Sequence, residues 1–115
     1  MPRLLRRGRL LWLAALILAS GLSAADEQQA AKGTSHTVVI ENMQYNPAQL
    51  RVHRGERIVW VNKDLFPHTV TSVTKAFDSG SIAPDGKWSF TLRKAGSSPY
   101  GCTFHPTMKG TITVQ

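Results

Sequence analysis

Seven short runs of strand-forming residues, separated by turn signals, are the feature that most constrains the fold of this chain. Several alternate apolar and polar side chains, as Leu50 and Val52 do around Arg51, and this period of two is typical of a strand with one buried face. No helical period is evident beyond residue 25. The runs are His36 to Glu41, Gln49 to His53, Arg57 to Asn62, His68 to Val73, Lys87 to Leu92, Tyr100 to Cys102 and Gly110 to Gln115. The pattern predicts an all-β protein, an antiparallel β-sandwich.

The segment between residues 74 and 83 has no clear period. We expect an irregular crossing between the two sheets here, with Phe77 and Ile82 directed inward, and we expect Trp60 in the core. Pro99 has no backbone N–H to give to a neighbouring strand. It therefore predicts a strand edge or a bulge before Cys102.

The first 25 residues predict a secretory signal peptide. Four arginines precede an apolar run from Leu10 to Ala19, and small residues end the segment. Since the run has about half of the roughly 20 residues that a membrane-spanning helix needs, we favour cleavage over a permanent anchor. Residues 26 to 35 are polar and predict a flexible linker, which leaves one domain over residues 36 to 115. We expect a periplasmic or otherwise exported protein with no stable membrane insertion after cleavage.

The net charge of +7 suggests nucleic-acid binding only while the leader is counted. Without its four arginines, ten basic residues face seven acidic ones, and the net charge falls to +3. The remaining cations are scattered among strands and turns without forming a run. A mildly basic, solvated surface is therefore expected, and nucleic acid is not an expected partner.

The single cysteine, Cys102, cannot form a disulfide within the chain. In an exported protein an odd cysteine indicates pairing between chains, a reactive thiol or a metal-bound thiolate. His105 and Met108 follow at intervals of three residues, and a second imidazole, His68, precedes a β-branched run. Two histidines, one cysteine and a weak axial methionine are the ligand set of a type 1 copper site. Taken singly, Cys102 is equally typical of a small buried side chain and Met108 of a core filler.

Three alternative functions use the same residues. A copper scavenger or delivery protein is one, although the sequence has no CxxC motif and no methionine-rich tract. An enzyme with Cys102 as nucleophile and His105 as base is disfavoured, because no carboxylate lies nearby in sequence to orient the base. Structural zinc is disfavoured because methionine is not a usual zinc ligand and a second cysteine is missing.

The sequence resembles the cupredoxins, and within them the plastocyanin and amicyanin branch. The spacing CxxHxxM resembles the short ligand loop of the amicyanins. Four segments carry the resemblance: Asn42 to Pro47, Ile58 to Asn62, Phe66 to Thr71 and Tyr100 to Gly110. It covers the chain from His36 to Gln115.

This resemblance implies a Greek-key β-sandwich with one copper ion, cycling between Cu+ and Cu2+, bound near one end by His68, Cys102, His105 and Met108. It also implies a monomeric electron shuttle rather than an enzyme. The expected partners are redox proteins such as a cytochrome or a dehydrogenase, which dock transiently near His105.

An apolar patch around His105 is implied as the docking surface, with Phe66, Pro67 and Pro106 as its candidates. Met43 fits either this patch or the core, and we favour the core. The other two histidines, His36 and His53, alternate with apolar neighbours and are expected to face solvent rather than to bind a metal.

Two positions near the ligands are of special interest. Many relatives have asparagine directly after the first histidine, where this chain has Thr69. Its backbone N–H remains available to the cysteine sulfur, and its hydroxyl suits a link between the two ligand segments. Asn62 suits either a hydrogen bond toward the ligand loop near Thr103 or a plain strand-end position.

Overall fold

The computed structural model describes residues 34–115 as eight strands without a helix. The predicted signal peptide and most of the predicted linker lie outside these residues. Among those that are described, no helix is long and apolar enough to cross a membrane. The strands are β1 (Ser35–Glu41), β2 (Gln44–Asn46), β3 (Gln49–Val52), β4 (Arg57–Asn62), β5 (Thr71–Ser72), β6 (Lys87–Thr91), β7 (Gly96–Gly101) and β8 (Lys109–Val114).

The strands form two four-stranded sheets, ordered β2-β1-β4-β6 and β3-β8-β7-β5. The predicted all-β sandwich is confirmed, but the pairing is mixed rather than purely antiparallel. β1 pairs with β4 and β3 pairs with β8 in parallel, while the other pairs are antiparallel. The chain leaves the first sheet after β2 and crosses to β3 before it returns as β4, so β4 arrives beside β1 in the same direction. This crossing is the Greek-key feature that the resemblance implied.

Strand bounds depart from the predictions by more than one residue in three places. β2 was missed, because a strand of three residues next to a proline gives almost no alternating pattern. β5 has only two residues. β7 begins at Gly96, in a stretch of small residues whose pairing with β8 the sequence pattern does not reveal.

Pro99 was expected to mark a strand edge or a bulge, whereas β7 as a whole has neighbours on both sides. Its pairing with β5 ends at Tyr100, however, and Pro99 lies just beyond that point. The Pro99 carbonyl accepts a hydrogen bond from the backbone N–H of Val73 at 3.0 Å. The missing N–H therefore falls where the sheet is locally at its edge.

The core between the sheets is aromatic. Trp60 is fully buried, and Phe77 and Ile82 point inward from the irregular crossing, as predicted. The ring of Tyr100 packs edge-on against Trp60, with the ring centroids 5.7 Å apart. A Cβ added at Gly110 would lie 2.3 Å from the Tyr100 ring, so this position requires glycine. The packing fixes the ends of β7 and β8, between which the Cys102 loop runs.

Candidate metal centre

Three of the four predicted ligands come together at one end of the sandwich. His68 lies between β4 and β5 and forms an isolated bridge with Ile82. Cys102 directly follows β7, and His105 lies in the loop from Cys102 to Met108 that leads into β8. The Cys102 sulfur and one ring nitrogen from each histidine lie within 4.8 Å of one another.

The spacing of these three donors fits a trigonal metal site. The Sγ of Cys102 is 3.8 Å from Nδ1 of His68 and 3.8 Å from Nδ1 of His105. A metal–sulfur bond of about 2.3 Å and a metal–nitrogen bond of about 2.0 Å span such a distance at an angle of about 120°. One thiolate and two imidazoles in this arrangement suit copper in either of its common oxidation states.

Met108 closes the ligand loop. Its backbone N–H donates to the carbonyl of His105 at 3.0 Å, and its carbonyl accepts from the N–H of Cys102 at 3.4 Å. The Met108 side chain is buried in the same core cluster as Cys102. These contacts close the short loop between Cys102 and Met108.

The segment that carries His68 is held by the side chain of Asn62. Its Nδ2 donates to the carbonyl of Phe66 at 2.8 Å and to that of Ile82 at 2.9 Å. Its Oδ1 accepts from the N–H of Asp64 at 3.0 Å. The predicted bond toward Thr103 is therefore wrong, and Asn62 is more than a strand-end residue. A buried amide instead holds two carbonyls, that of Phe66 within the bend and that of Ile82 on the segment bridged to His68.

Asp64 was not identified from the sequence, yet it contacts the buried ligand directly. Its Oδ2 lies 2.8 Å from Nε2 of His68. The backbone N–H groups of Asn42 and Met43 also donate to its carboxylate, at 2.7 and 3.0 Å. Burial alone would raise the pKa of Asp64, but the hydrogen bonds from Met43, His68 and Asn42 outweigh it and lower the pKa below the ordinary value. The carboxylate is consequently ionised beside the ring.

Thr69 joins the two ligand segments, as the sequence suggested. Its backbone N–H donates to the Cys102 sulfur at 3.3 Å, and its hydroxyl accepts from the N–H of Thr103 at 2.9 Å. The Thr69 carbonyl accepts a hydrogen bond from the hydroxyl of Tyr45. Burial, followed by the neighbouring Cys102 and Tyr100, raises the pKa of Tyr45, so this phenol stays protonated as a donor.

The surface around His105 is apolar. His105 is half-buried, while Phe66, Pro67 and Pro106 are exposed, as expected for the patch. Met43 is 36% exposed, so the favoured core position is wrong: the tight turn after β1 directs its side chain outward.

Two large exposed side chains at this end, Leu65 and Phe104, were missed. For Phe104 the available signal was an aromatic residue inside the ligand loop, next to His105, where a core role is not expected.

The remaining histidines lie away from the three donors. His53 is exposed, as predicted. His36 is only partly exposed, and its Nε2 lies 3.3 Å from a carboxylate oxygen of Glu56. A hydrogen bond from the backbone N–H of His53 is the main reason that the pKa of Glu56 is lowered, and the contact with His36 adds to it.

The sequence of this chain matches a protein family and several known proteins. A family model described as cupredoxin-like domain matches residues 9–114. The amicyanin of Paracoccus versutus is 34% identical over 83 residues, which are 68% of this chain and 63% of that protein. The plastocyanin of Scenedesmus fuscus is 32% identical over 84 residues, which are 62% of this chain and 86% of that protein. The chain thus spans somewhat less than two thirds of the length of the Paracoccus amicyanin.

Solved structures agree with these sequence matches. A methionine-to-alanine mutant of amicyanin in its Cu(I) form superposes with a TM-score of 0.67 at 29% identity. The superposition covers 70% of this chain and 82% of the amicyanin chain.

Proposed function

The chain belongs to the cupredoxin-like domain family, and from this premise we propose that it is a small blue copper protein that carries single electrons between redox partners. One observation carries the proposal most directly. A buried thiol and two imidazole nitrogens converge at trigonal spacing, and one of the two imidazoles is fully buried while the other is half-exposed. An electron carrier needs a fixed ligand geometry, which a buried imidazole provides, and a path for the electron between metal and surface, which a half-exposed imidazole provides.

Copper would be held by Nδ1 of His68, Sγ of Cys102, Nδ1 of His105 and, more weakly, the sulfur of Met108. Copper bound there supplies a one-electron couple, and no bond in a substrate is made or broken. The protein supplies the geometry. The Thr69 N–H against the Cys102 sulfur stabilises the thiolate, and the loop contacts of Met108 hold the donors at nearly constant spacing.

Electron exchange is proposed to occur through His105. His105 is half-exposed, and Phe104 and Pro106, its neighbours in the loop, and Phe66, near the other histidine, present exposed apolar side chains. Such a patch favours brief contacts with a partner over a permanent interface. We propose that the partners are redox proteins such as a cytochrome or a dehydrogenase, and that the carrier acts as a monomer.

We further propose that residues 1–25 are a signal peptide and that the protein works in the periplasm. The basic start, the apolar run and the small residues at its end support export. A solitary thiol in an oxidising compartment is protected when it is bound to a metal, which agrees with the burial of Cys102.

The experiment that tests the function is voltammetry of the copper-loaded protein, combined with transfer of copper to a chelator. An electron carrier gives a reversible one-electron wave and keeps its copper over many cycles. A copper delivery protein, the alternative function, would lose Cu+ to the chelator within a few cycles. An irreversible wave with rapid copper loss would therefore replace the electron-carrier proposal with the delivery role.

A further inference from the structure

We infer that Asp64 is a positioning residue of the metal centre: its carboxylate fixes which nitrogen of His68 faces the metal and makes the bound copper harder to reduce. The inference rests on the proposed function and goes beyond the four ligands. It assigns a role to a residue in the bend between β4 and β5 that no motif identifies.

The two ring nitrogens of His68 face different groups. Nε2 of His68 lies 2.8 Å from Oδ2 of Asp64, and Nδ1 lies 3.8 Å from the Cys102 sulfur. A neutral imidazole carries a single N–H. If this proton is on Nε2, where a carboxylate accepts it, the lone pair of Nδ1 is directed at the metal position. The His68 side chain has no solvent exposure, so water does not compete for either nitrogen.

Asp64 is itself held in place from the opposite side. The N–H groups of Asn42 and Met43 donate to its two oxygens. Both residues have positive φ, 53° and 59°, a conformation that costs free energy in residues other than glycine. The two hydrogen bonds offset that cost, and through them the β1–β2 connection holds the carboxylate in place. The backbone N–H of Asp64, bonded to Asn62, completes the restraint.

The charge of Asp64 is directed at His68 rather than at a basic side chain. The neighbouring ammonium of Lys63 is engaged elsewhere, 3.7 Å from Asp85. Within residues 34–115, His68 is the one cationic or potentially cationic partner recorded within ion-pair distance of Asp64. A negative charge beside a ligand ring raises the basicity of that ligand, and it stabilises oxidised copper more than reduced copper because the oxidised ion carries more positive charge.

The test compares Asp64→Asn with Asp85→Asn in the full chain. Both substitutions remove one negative charge and keep the side-chain shape, but only Asp64 contacts a ligand. Asp85 is exposed and has positive φ, which asparagine tolerates. For Asp64→Asn we expect about a tenfold loss of Cu2+ affinity relative to Cu+, which is about 59 mV of increase in reduction potential. For Asp85→Asn we expect little change. Equal shifts in the two variants would overturn the inference, because the effect would then be one of overall charge.

A second measurement uses the metal-free protein and separates this inference from the proposed function. The nitrogen chemical shifts of His68, measured by NMR, report which ring nitrogen carries the proton. We expect the proton on Nε2 in the wild type and in Asp64→Asn, whose amide oxygen still accepts, and a mixture of tautomers in Asp64→Ala. An unchanged tautomer in Asp64→Ala would contradict the positioning role. If the wild type shows no reversible copper couple but the tautomer depends on Asp64, the proposed function fails while the positioning role stands.

Discussion

The two histidines of the metal centre occupy opposite kinds of environment. His68 is fully buried, its backbone exchanges two hydrogen bonds with Ile82, and its ring is held by Asp64. His105 belongs to a short loop and is half-exposed. Within the described residues, its recorded ring contacts are the Cys102 sulfur and the ring of His68, with the ring centroids 4.9 Å apart.

This contrast separates two requirements of an electron carrier. The His68 segment fixes geometry, because a buried ring with both nitrogens engaged cannot relax when the metal changes charge. The His105 loop provides contact with the surroundings, because its ring reaches the surface. Cys102 lies between them, and Thr69 ties the two segments together.

The largest effect is expected from removing each imidazole in turn. His68→Gly and His105→Gly should each abolish the intense blue absorption of the copper-loaded protein, because each removes one trigonal ligand. Added imidazole should restore the band in His105→Gly, where the vacated space opens to solvent. It should fail to restore the band in His68→Gly, where the space is enclosed. Equal rescue of both variants, measured by visible absorption, would show that the two environments do not differ as described.

A smaller effect is expected from Asn62→Ala, which loosens the His68 segment alone. The carbonyls of Phe66 and Ile82 lose the Asn62 amide as a donor, although Ile82 still accepts from the N–H of His68. The N–H of Asp64 loses its acceptor. We expect a loss of about 2–3 kcal/mol in the free energy of unfolding of the metal-free protein. Thr107→Ala, an exposed position in the His105 loop, is the matched control and should cost less than about 0.5 kcal/mol. Urea denaturation of both variants measures the difference, and similar losses would contradict the assignment of the His68 segment as the anchored one.

The link between the two segments is tested by Thr69→Val, which removes a hydroxyl and keeps the shape. The N–H of Thr103 loses its acceptor, so we expect a cost of about 1 kcal/mol in unfolding free energy. The backbone N–H that donates to Cys102 is unaffected, and the blue band should therefore keep its position. A large shift of the band would mean that the hydroxyl, not the backbone, sets the environment of the sulfur.

The smallest effect is expected from Glu56→Gln, at the end of the sandwich opposite the metal centre. Because the pKa of Glu56 is lowered on folding, its stabilising contribution is present above its unfolded pKa of about 4.5 and is lost as the pH falls through its lower folded pKa. Between pH 5 and pH 3 the wild type should lose stability more steeply than the variant. Urea denaturation at several pH values measures the slopes. Parallel slopes would contradict the role of Glu56, and an altered blue band at pH 7 would contradict the independence of the two ends.

The sequence was sufficient for the strands with clear alternation and for the three donor residues that the structure brings together. β3 and β6 alternate apolar and polar side chains, as Leu50 and Val52 do around Arg51, and the ligand spacing in the Cys102 loop is local, so both can be identified along the chain. What could not be predicted depends on contacts distant in sequence. Asp64 is bound by Asn42 and Met43, more than 20 positions earlier. The parallel pairing of β1 with β4 likewise follows from a crossing between sheets rather than from any local pattern.

The most direct test of this account is the visible absorption spectrum of the protein after Cu2+ is added, recorded again after ascorbate and then after an oxidant. The account predicts an intense blue thiolate-to-copper band that bleaches on reduction and returns on oxidation, and that is absent in Cys102→Ser. A colourless or pale complex, or an unchanged band in Cys102→Ser, would contradict the proposal that Cys102 and the two unlike histidines form an electron-carrying copper site.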